Sequence, residues 1–477
     1  MSAAPQPATS FDWPLAYAAE QLVGGYLEAF LLRNAFARRL AGRMRDETGT
    51  DFFEWVDHLV LAPDQETALR AAGFTGENAE TGEDTRVFWH PRAMMPRVLL
   101  TASPRLRSPG LAEGGRDGVP SALAIRPEVL ADFLAAHDLD AAIEGAWGAR
   151  FRRALVSDEN GAKFFAVERL GARGFVVREP EAAFVSGALR ARELWRTRKR
   201  DFPPENGGDA AGVGHALARL DAVLALVDRD AACELFFAEE RGFWEARNRA
   251  GQIQKRRQDR LGLGWGNHDH HTFRCSREHF ADLMEFLAKL GFQKRERYYA
   301  GAEAGWGAQI LEQAVAGIVV FADVDLMPEE TAVDFSSKRL PPAPALRTVG
   351  LWCGLHGDSF LQAGMHHLEA RFDFARLRDQ LAGEGVATMK PFSDFAFLRQ
   401  AFTEGERWPV RPARVAALLR QKLITPEQAE GFRRDGALGS HLENLQRKGG
   451  FKGFNQKSVS AIIAATDPRK MQAAHAM

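Results

Sequence analysis

The chain has 477 residues, 45% of them hydrophobic, which is enough for two or three domains at roughly 150 residues each. Its 62 basic and 63 acidic side chains leave a net charge of -1, so no global field favours nucleic acid or an anionic membrane, and no apolar run is long enough to span a bilayer. Three scattered cysteines, Cys233, Cys275 and Cys353, form no disulfide framework and fit a reducing cytosol, so a cytoplasmic location is expected.

Residues 1–13 are rich in Ala, Pro and Ser and lack the basic start and apolar centre of a secretory signal, so they are expected to be a disordered lead. From 14 to 47 the spacing of Leu22, Tyr26, Phe30 and Leu31 predicts helix. The run FFEWVDHLVL at 52–61 predicts a strand, 64–72 a helix stopped by Gly73, and 87–90 and 97–101 two more strands. Residues 14–120 thus read as a helix plus one compact α/β module, ending in a Gly/Pro/Arg-rich loop from 104. The stretch from Arg97 to Arg116 lacks interleaved aromatics and is a poor nucleic-acid candidate.

Residues 121–260 are expected to be a mostly helical middle region. Helix is predicted at 126–147, strands at 163–168 and 174–178, and helix again over 181–254 with a break at PPENGG. The charged stretch 241–260 reads as a solvated helix face.

The region 261–477 begins with a strand at 268–274. A helix follows at 278–290, stopped by Gly291, then strands at 293–299, 307–313 and 317–324. This repeats the order at 51–101. A second strand-to-helix start lies at 365–381, two short helices within 411–434 break at Thr425-Pro426, and final strands are predicted at 441–446 and 458–464. Repeated βαβββ units build the vicinal-oxygen-chelate, or glyoxalase-like, fold, in which paired units curl into a cup around a metal. The expectation is therefore an α+β protein of such modules with a helical middle.

The segment His268-Asp269-His270-His271-Thr272-Phe273-Arg274 carries three of the thirteen histidines. Strand alternation puts His270, Thr272 and Arg274 on one face. An arginine is rarely buried unpaired, and a metal plus an anionic substrate would explain both His270 and Arg274. A second His-x-x-x-Arg occurs at His367 to Arg371, and Glu443 follows in GSHLE. Two histidines and a carboxylate leave half an octahedron open for substrate and O2. From the residues alone Glu312, in ILEQ, rivals Glu443. His58 lies in a similar strand but has Ala62 where the others have Arg, so its module reads as a degenerate copy. His90 reads as structural, Cys275 faces away, and His356 reads as a loop residue with no catalytic role. No Walker loop, dinucleotide fingerprint, HExxH or nucleophile elbow stands at a credible junction.

At these residues the chain resembles the 2-oxoadipate dioxygenase/decarboxylase family, also called hydroxyglutarate synthases, over roughly 262–470. The likeness lies in Asp269 to Arg274, in His366-His367-Leu368-Glu369-Ala370-Arg371, in Gly439 through Glu443 to Gly449, and in Phe454-Asn455-Gln456-Lys457-Ser458. The resemblance implies a glyoxalase-like fold and Fe(II) held by His270, His367 and Glu443. It implies Arg274 gripping a substrate carboxylate, with a small 2-oxo dicarboxylic acid such as 2-oxoadipate and O2 giving 2-hydroxyglutarate and CO2 in lysine breakdown. Arg371 is expected to stabilise substrate or brace the ligand strand, and Ser458 to hydrogen-bond substrate. The third block is compressed relative to the family, and residues 1–260 are only weakly similar. Rival expectations are a glyoxalase-like lyase or isomerase on Zn(II), Ni(II) or Mn(II), with Glu312 as a fourth ligand, and a non-catalytic small-molecule-binding protein. No nucleic-acid or membrane partner is expected.

Overall fold

The computed structural model describes residues 14–79, 85–102, 118–266, 270–455, 458–459, 462–463 and 466–471. The disordered lead expected at 1–13 lies outside the described residues, as do most of the 104–120 loop and His268 and Asp269.

Helices α1 (Tyr17–Arg33) and α2 (Ala35–Arg43) meet at Asn34, whose extended backbone and side chain cap α2 by accepting from Ala37 N at 2.8 Å. Then come β1 (Val56–Leu61), α3 (Glu66–Ala71), β2 (Thr75–Asn78), β3 (Thr85–Trp89) and β4 (Arg97–Thr101). A second set follows: β5 (Ala122–Ile125), α4 (Leu130–Ala136), β6 (Ile143–Glu144), β7 (Phe151–Glu159) and β8 (Ala162–Arg169). All eight strands form one sheet in the order β2-β3-β4-β1-β5-β8-β7-β6. Each half is a βαβββ unit with its fourth strand beside its first, and antiparallel β1 and β5 join the units.

The mostly helical reading of 121–260 therefore needs correction. Strands occupy much of 122–169, helix in 126–147 shrinks to α4, and 174–178 is not a strand. The β7 run FRRALVSDE is polar enough to read as irregular, yet it pairs with β8 along its length. Tertiary pairing overrides its weak local preference. Helices α5 (Ala182–Arg196), α6 (Gly208–Leu224), α7 (Arg229–Glu245) and α8 (Arg249–Asp259) do form the later part. They are packing elements: Phe237 of α7 lies against Phe273 at 5.9 Å, and α8 buries Gln254 and Gln258, bonded to each other at 2.6 Å. The charged helix at 241–260 is therefore partly buried rather than a plain solvated face.

In the C-terminal half β9 (His270–Arg274), α9 (Phe280–Lys289), β10 (Gln293–Tyr299), β11 (Trp306–Gln313) and β12 (Ile318–Asp325) form a unit ordered β10-β11-β12-β9. Gly291 ends α9 at φ +89°, the left-handed value a helix-stopping glycine supplies. Helix α10 (Thr348–His356) precedes the second unit, so His356 ends a helix rather than sitting in a loop. That unit comprises β13 (Glu369–Arg371), α11 (Phe374–Gly383), β14 (Ser393–Phe395) and β15 (Leu398–Phe402). After an insertion of β16 (Glu406–Trp408), α12 (Pro412–Arg420), α13 (Pro426–Asp435) and β17 (Ala437–Ser440), it closes with β18 (Glu443–Arg447). Its order, β13-β18-β15-β14, matches the other units, and an antiparallel bridge between His271 and Leu368 joins the pair. Where a strand is expected at 458–464, the described residues Ser458, Val459, Ile462 and Ile463 are helical. Among the described residues no helix is long and apolar enough to cross a membrane.

Candidate metal centre

All five residues of β9 are buried, so alternation sorts them between two packed faces. Phe273 joins the large core shared with α7 and α9, while His270, Thr272 and Arg274 face into the cup. On one flank β12 sets Val319, Phe321 and Asp323 beside these three residues. On the other, Thr272 N donates to His367 O at 3.3 Å and His366 N to Thr272 O at 2.6 Å. This antiparallel register puts His367 beside Thr272 and Glu369 beside His270. Next in the sheet, β18 pairs with β13 in parallel, with Glu443 opposite Glu369. Three neighbouring chain segments thus deliver His270, His367 and Glu443 to one inner face.

His367 Nε2 lies 3.0 Å from Glu443 Oε2 and 2.9 Å from Thr272 Oγ1. Gln400 Nε2 of β15 donates to the other Glu443 oxygen. His270 pairs through Nδ1 with Glu369, and Arg371 Nη2 stands 3.2 Å from the same nitrogen. Glu369 also takes Arg447 Nη1 at 3.0 Å. Arg371 continues to Glu54 Oε2 at 3.3 Å and to Met94 Sδ at 3.3 Å, so the N-terminal half reaches the back of the site. A small cleft beside this network is lined by Glu54, Trp265, Glu369 and Arg371, among others.

Burial drives His270 down to about 3 even though Glu369 opposes it, so the ring is neutral at physiological pH. Burial would raise Glu369, but Arg447 and His270 outweigh it and keep the carboxylate charged. With its proton on Nδ1 facing Glu369, His270 presents a lone pair on Nε2, which is buried and has no hydrogen-bond partner.

Arg274 is 1% exposed, and its Nε and Nη1 have no partner. Its guanidinium lies 5.4 Å from the Trp352 ring centre. Burial lifts the Asp323 carboxyl to about 7 against the pull of Arg274, so this acid is a weak counter-charge. Burial, then the Arg274 charge, pushes His366 well below its usual range; for His441 burial leads, followed by His367 and Arg274.

The sequence-derived residues distribute unevenly. His367 and Glu443 meet, and Arg371 contacts His270. Among the described residues, the group of three or more potential ligands whose atoms all lie within 4.8 Å of one another is His366, His367 and His441; His270 stands outside it. Ser458 is half-buried on the segment that also carries Phe454 and Val459 onto the cup, and its N donates to Asn455 Oδ1 at 3.3 Å. Glu312 sits on β11, bonded at 3.4 Å to both Arg295 and Lys452. His58 pairs with Asp57 at 2.6 Å, and His90 Nδ1 accepts from Arg92 N at 3.2 Å. Sequence reasoning missed His366, His441, Glu369 and Gln400. The first three were signalled: His366 and Glu369 lie in the second His-x-x-x-Arg block, and His441 lies two residues, one strand repeat, before Glu443.

The donor set is imidazole plus carboxylate, with buried nitrogens of His270, His367 and His441 lacking partners, and its chemistry fits a divalent ion. No family model matches the chain, and no curated protein matches it. Among solved structures it is similar to a glyoxalase superfamily protein from Ralstonia eutropha JMP134, at 14% identity over 56% of this chain and 96% of that one, TM-score 0.31. It is also similar to a mutant of 4-hydroxymandelate synthase from Streptomyces coelicolor, at 15% identity over 88% and 98%, TM-score 0.29. A third is methylmalonyl-CoA epimerase from Mycobacterium tuberculosis, at 12% identity over 38% and 86%, TM-score 0.22. These superpositions are loose, and strand order carries the fold: the chain is an α+β protein built from vicinal-oxygen-chelate-like βαβββ modules.

Proposed function

We propose that the chain is a non-haem Fe(II) dioxygenase/decarboxylase that takes a small 2-oxo dicarboxylic acid and O2. The sequence resemblance points to 2-oxoadipate as substrate, with 2-hydroxyglutarate and CO2 as products in cytoplasmic lysine breakdown. One observation carries the reading. A buried guanidinium with unpartnered nitrogens, Arg274, shares an inner sheet face with the His367–Glu443 contact and with His270 Nε2.

His270, His367 and Glu443 would hold the ion. Bound Fe(II) would supply a chelating centre for the 2-oxo acid and the redox chemistry of O2. The surrounding residues have separable tasks. Glu369 fixes the His270 ring through Nδ1, while Gln400 and Thr272 orient Glu443 and His367. Arg274 offers a planar fork to a substrate carboxylate, in a place too dry for water to compete well. Arg371, held by Glu54, braces the Glu369 that fixes His270, at 4.0 Å, rather than touching substrate. Ser458 reaches substrate from the covering segment. That segment and α10 cap the cup: Phe454 packs 5.3 Å from Phe321, and Val349, Trp352 and Ile463 share its apolar cluster. Water exclusion follows from that cap.

A lyase or isomerase using Zn(II), Ni(II) or Mn(II) would need a fourth protein ligand, and Glu312 is engaged by two cations instead. The test is anaerobic reconstitution with Fe(II), followed by a panel of 2-oxo acids, an O2 electrode and product mass spectrometry. Coupled O2 uptake and loss of one carbon is expected. Absence of O2 uptake with every 2-oxo acid would sink the reading.

A further inference from the structure

Three buried imidazoles crowd together next to Arg274, and the proposed iron site uses one of them. His366 and His441 have ring centres 4.8 Å apart, His366 and His367 4.9 Å, and His367 and His441 5.2 Å. His441 is 1% exposed, and neither of its nitrogens has a hydrogen-bond partner. His367 Nδ1 is likewise buried and unpartnered, and His366 keeps a 3.3 Å contact between Nδ1 and Gly439 O. Leaving such nitrogens dry and unpaired is costly, by about 1–3 kcal/mol per group. Aromatic packing alone does not need nitrogen: Phe402 stacks on His441 at 4.0 Å, and a phenyl ring at 441 would pack there equally well. The ligand atoms of the three residues lie within 4.8 Å of one another. Nitrogens sharing one tetrahedral ion at 2.0–2.1 Å stand roughly 3.4 Å apart, so small ring rotations close the gap.

We infer that His366, His367 and His441 form a second divalent-metal site, made only of imidazole. Such a site prefers Zn(II), Ni(II) or Cu(II) to Fe(II), following borderline ligand softness and the order of divalent affinities. Its three neutral ligands leave the ion's charge uncompensated beside Arg274, so its fourth position takes a small anion. His367 belongs to both ligand sets, and a neutral imidazole carries a single lone pair, so His367 serves one ion at a time. Zinc and iron therefore exclude one another, and zinc inhibits. The exclusion rests on the proposed iron site; the imidazole site itself rests on the cluster alone.

The experiment titrates Zn(II), then separately Fe(II) without air, into the metal-stripped full chain and into His441→Phe, His366→Asn, Glu443→Gln and His270→Ala variants. Zinc affinity should fall at least tenfold in His441→Phe and His366→Asn and hold steady in Glu443→Gln and His270→Ala. Iron affinity should show the reverse dependence on Glu443 and His270. Zinc binding that disappears with Glu443→Gln yet survives His441→Phe overturns the inference, because zinc then occupies the iron site. Iron binding indifferent to Glu443 and His270 defeats the proposed iron site while leaving the imidazole site intact. Pulsed EPR of the Cu(II)-loaded unmodified chain needs no variant to fold: three coupled imidazoles support the site, and two or fewer overturn it.

Discussion

The N-terminal and C-terminal sheets share a strand order, yet their inner faces end in opposite states. In the N-terminal pair of units, Arg169 forks onto Asp57 at 2.8 Å through both Nε and Nη2, and His58 Nδ1 sits 2.6 Å from Asp57. Residues just after β8 fold over these groups. Arg169 Nη1 donates to Gly174 O at 2.6 Å, and Phe175 lies 4.8 Å from the His58 ring. The C-terminal face has the same first-strand histidine but leaves nitrogens of His270, His441 and Arg274 buried and unpartnered. One cup has answered its own polar groups with its own chain. The other keeps them for something that is not protein. Topology alone therefore does not mark a site in this fold; unpaired buried donors do.

Arg274→Lys should sharpen that contrast most. A point charge cannot reproduce the fork, so turnover should fall roughly 100- to 1000-fold, or about 3–4 kcal/mol, with iron retained. Steady-state kinetics with an iron assay checks both halves, and unaltered kinetics would refute the role. Arg169→Met is the matching change in the closed cup. It strands Asp57 and should cost about 3 kcal/mol of stability with iron content unchanged, read by chemical denaturation. Arg169 and His58 hold Asp57 well below the usual aspartate range, against the upward push of burial. The folded value lies below the unfolded one, so the pair stabilises fully above about pH 4 and loses its contribution as pH falls towards the folded value. Removing Arg169 should move the acid-unfolding midpoint to higher pH.

Glu369→Gln weakens the hold on His270 without removing a proposed ligand. Iron affinity should drop about 10- to 100-fold. Ser458→Ala should have the smallest effect, a few-fold rise in KM near 1 kcal/mol, with stability unchanged.

The first C-terminal unit was legible because its parts are locally decisive. His270 to Arg274 alternates cleanly, and Gly291 stops its helix at positive φ. Glu443 was singled out over Glu312 by likeness rather than spacing, and the two now differ in surroundings: a histidine for one, two cations for the other. The second N-terminal unit was missed because β5 is four residues long and β6 two, too short to show a period. The β-branched-rich run near 458–464 misled for the opposite reason: the described part is helical and packs by burial, not by pairing. Glu54 and Met94 behind Arg371 were beyond any local signal, since 317 and 277 residues separate them from it.

The central claim is that one sheet face binds iron and the other does not. Iron stoichiometry after anaerobic reconstitution tests it directly, in the unmodified chain, in His58→Ala, and in a His270→Ala/His367→Ala/Glu443→Ala variant confirmed as folded. One iron per chain is predicted for the first two and none for the third. Iron retained by the triple variant, or lost with His58→Ala, would contradict it.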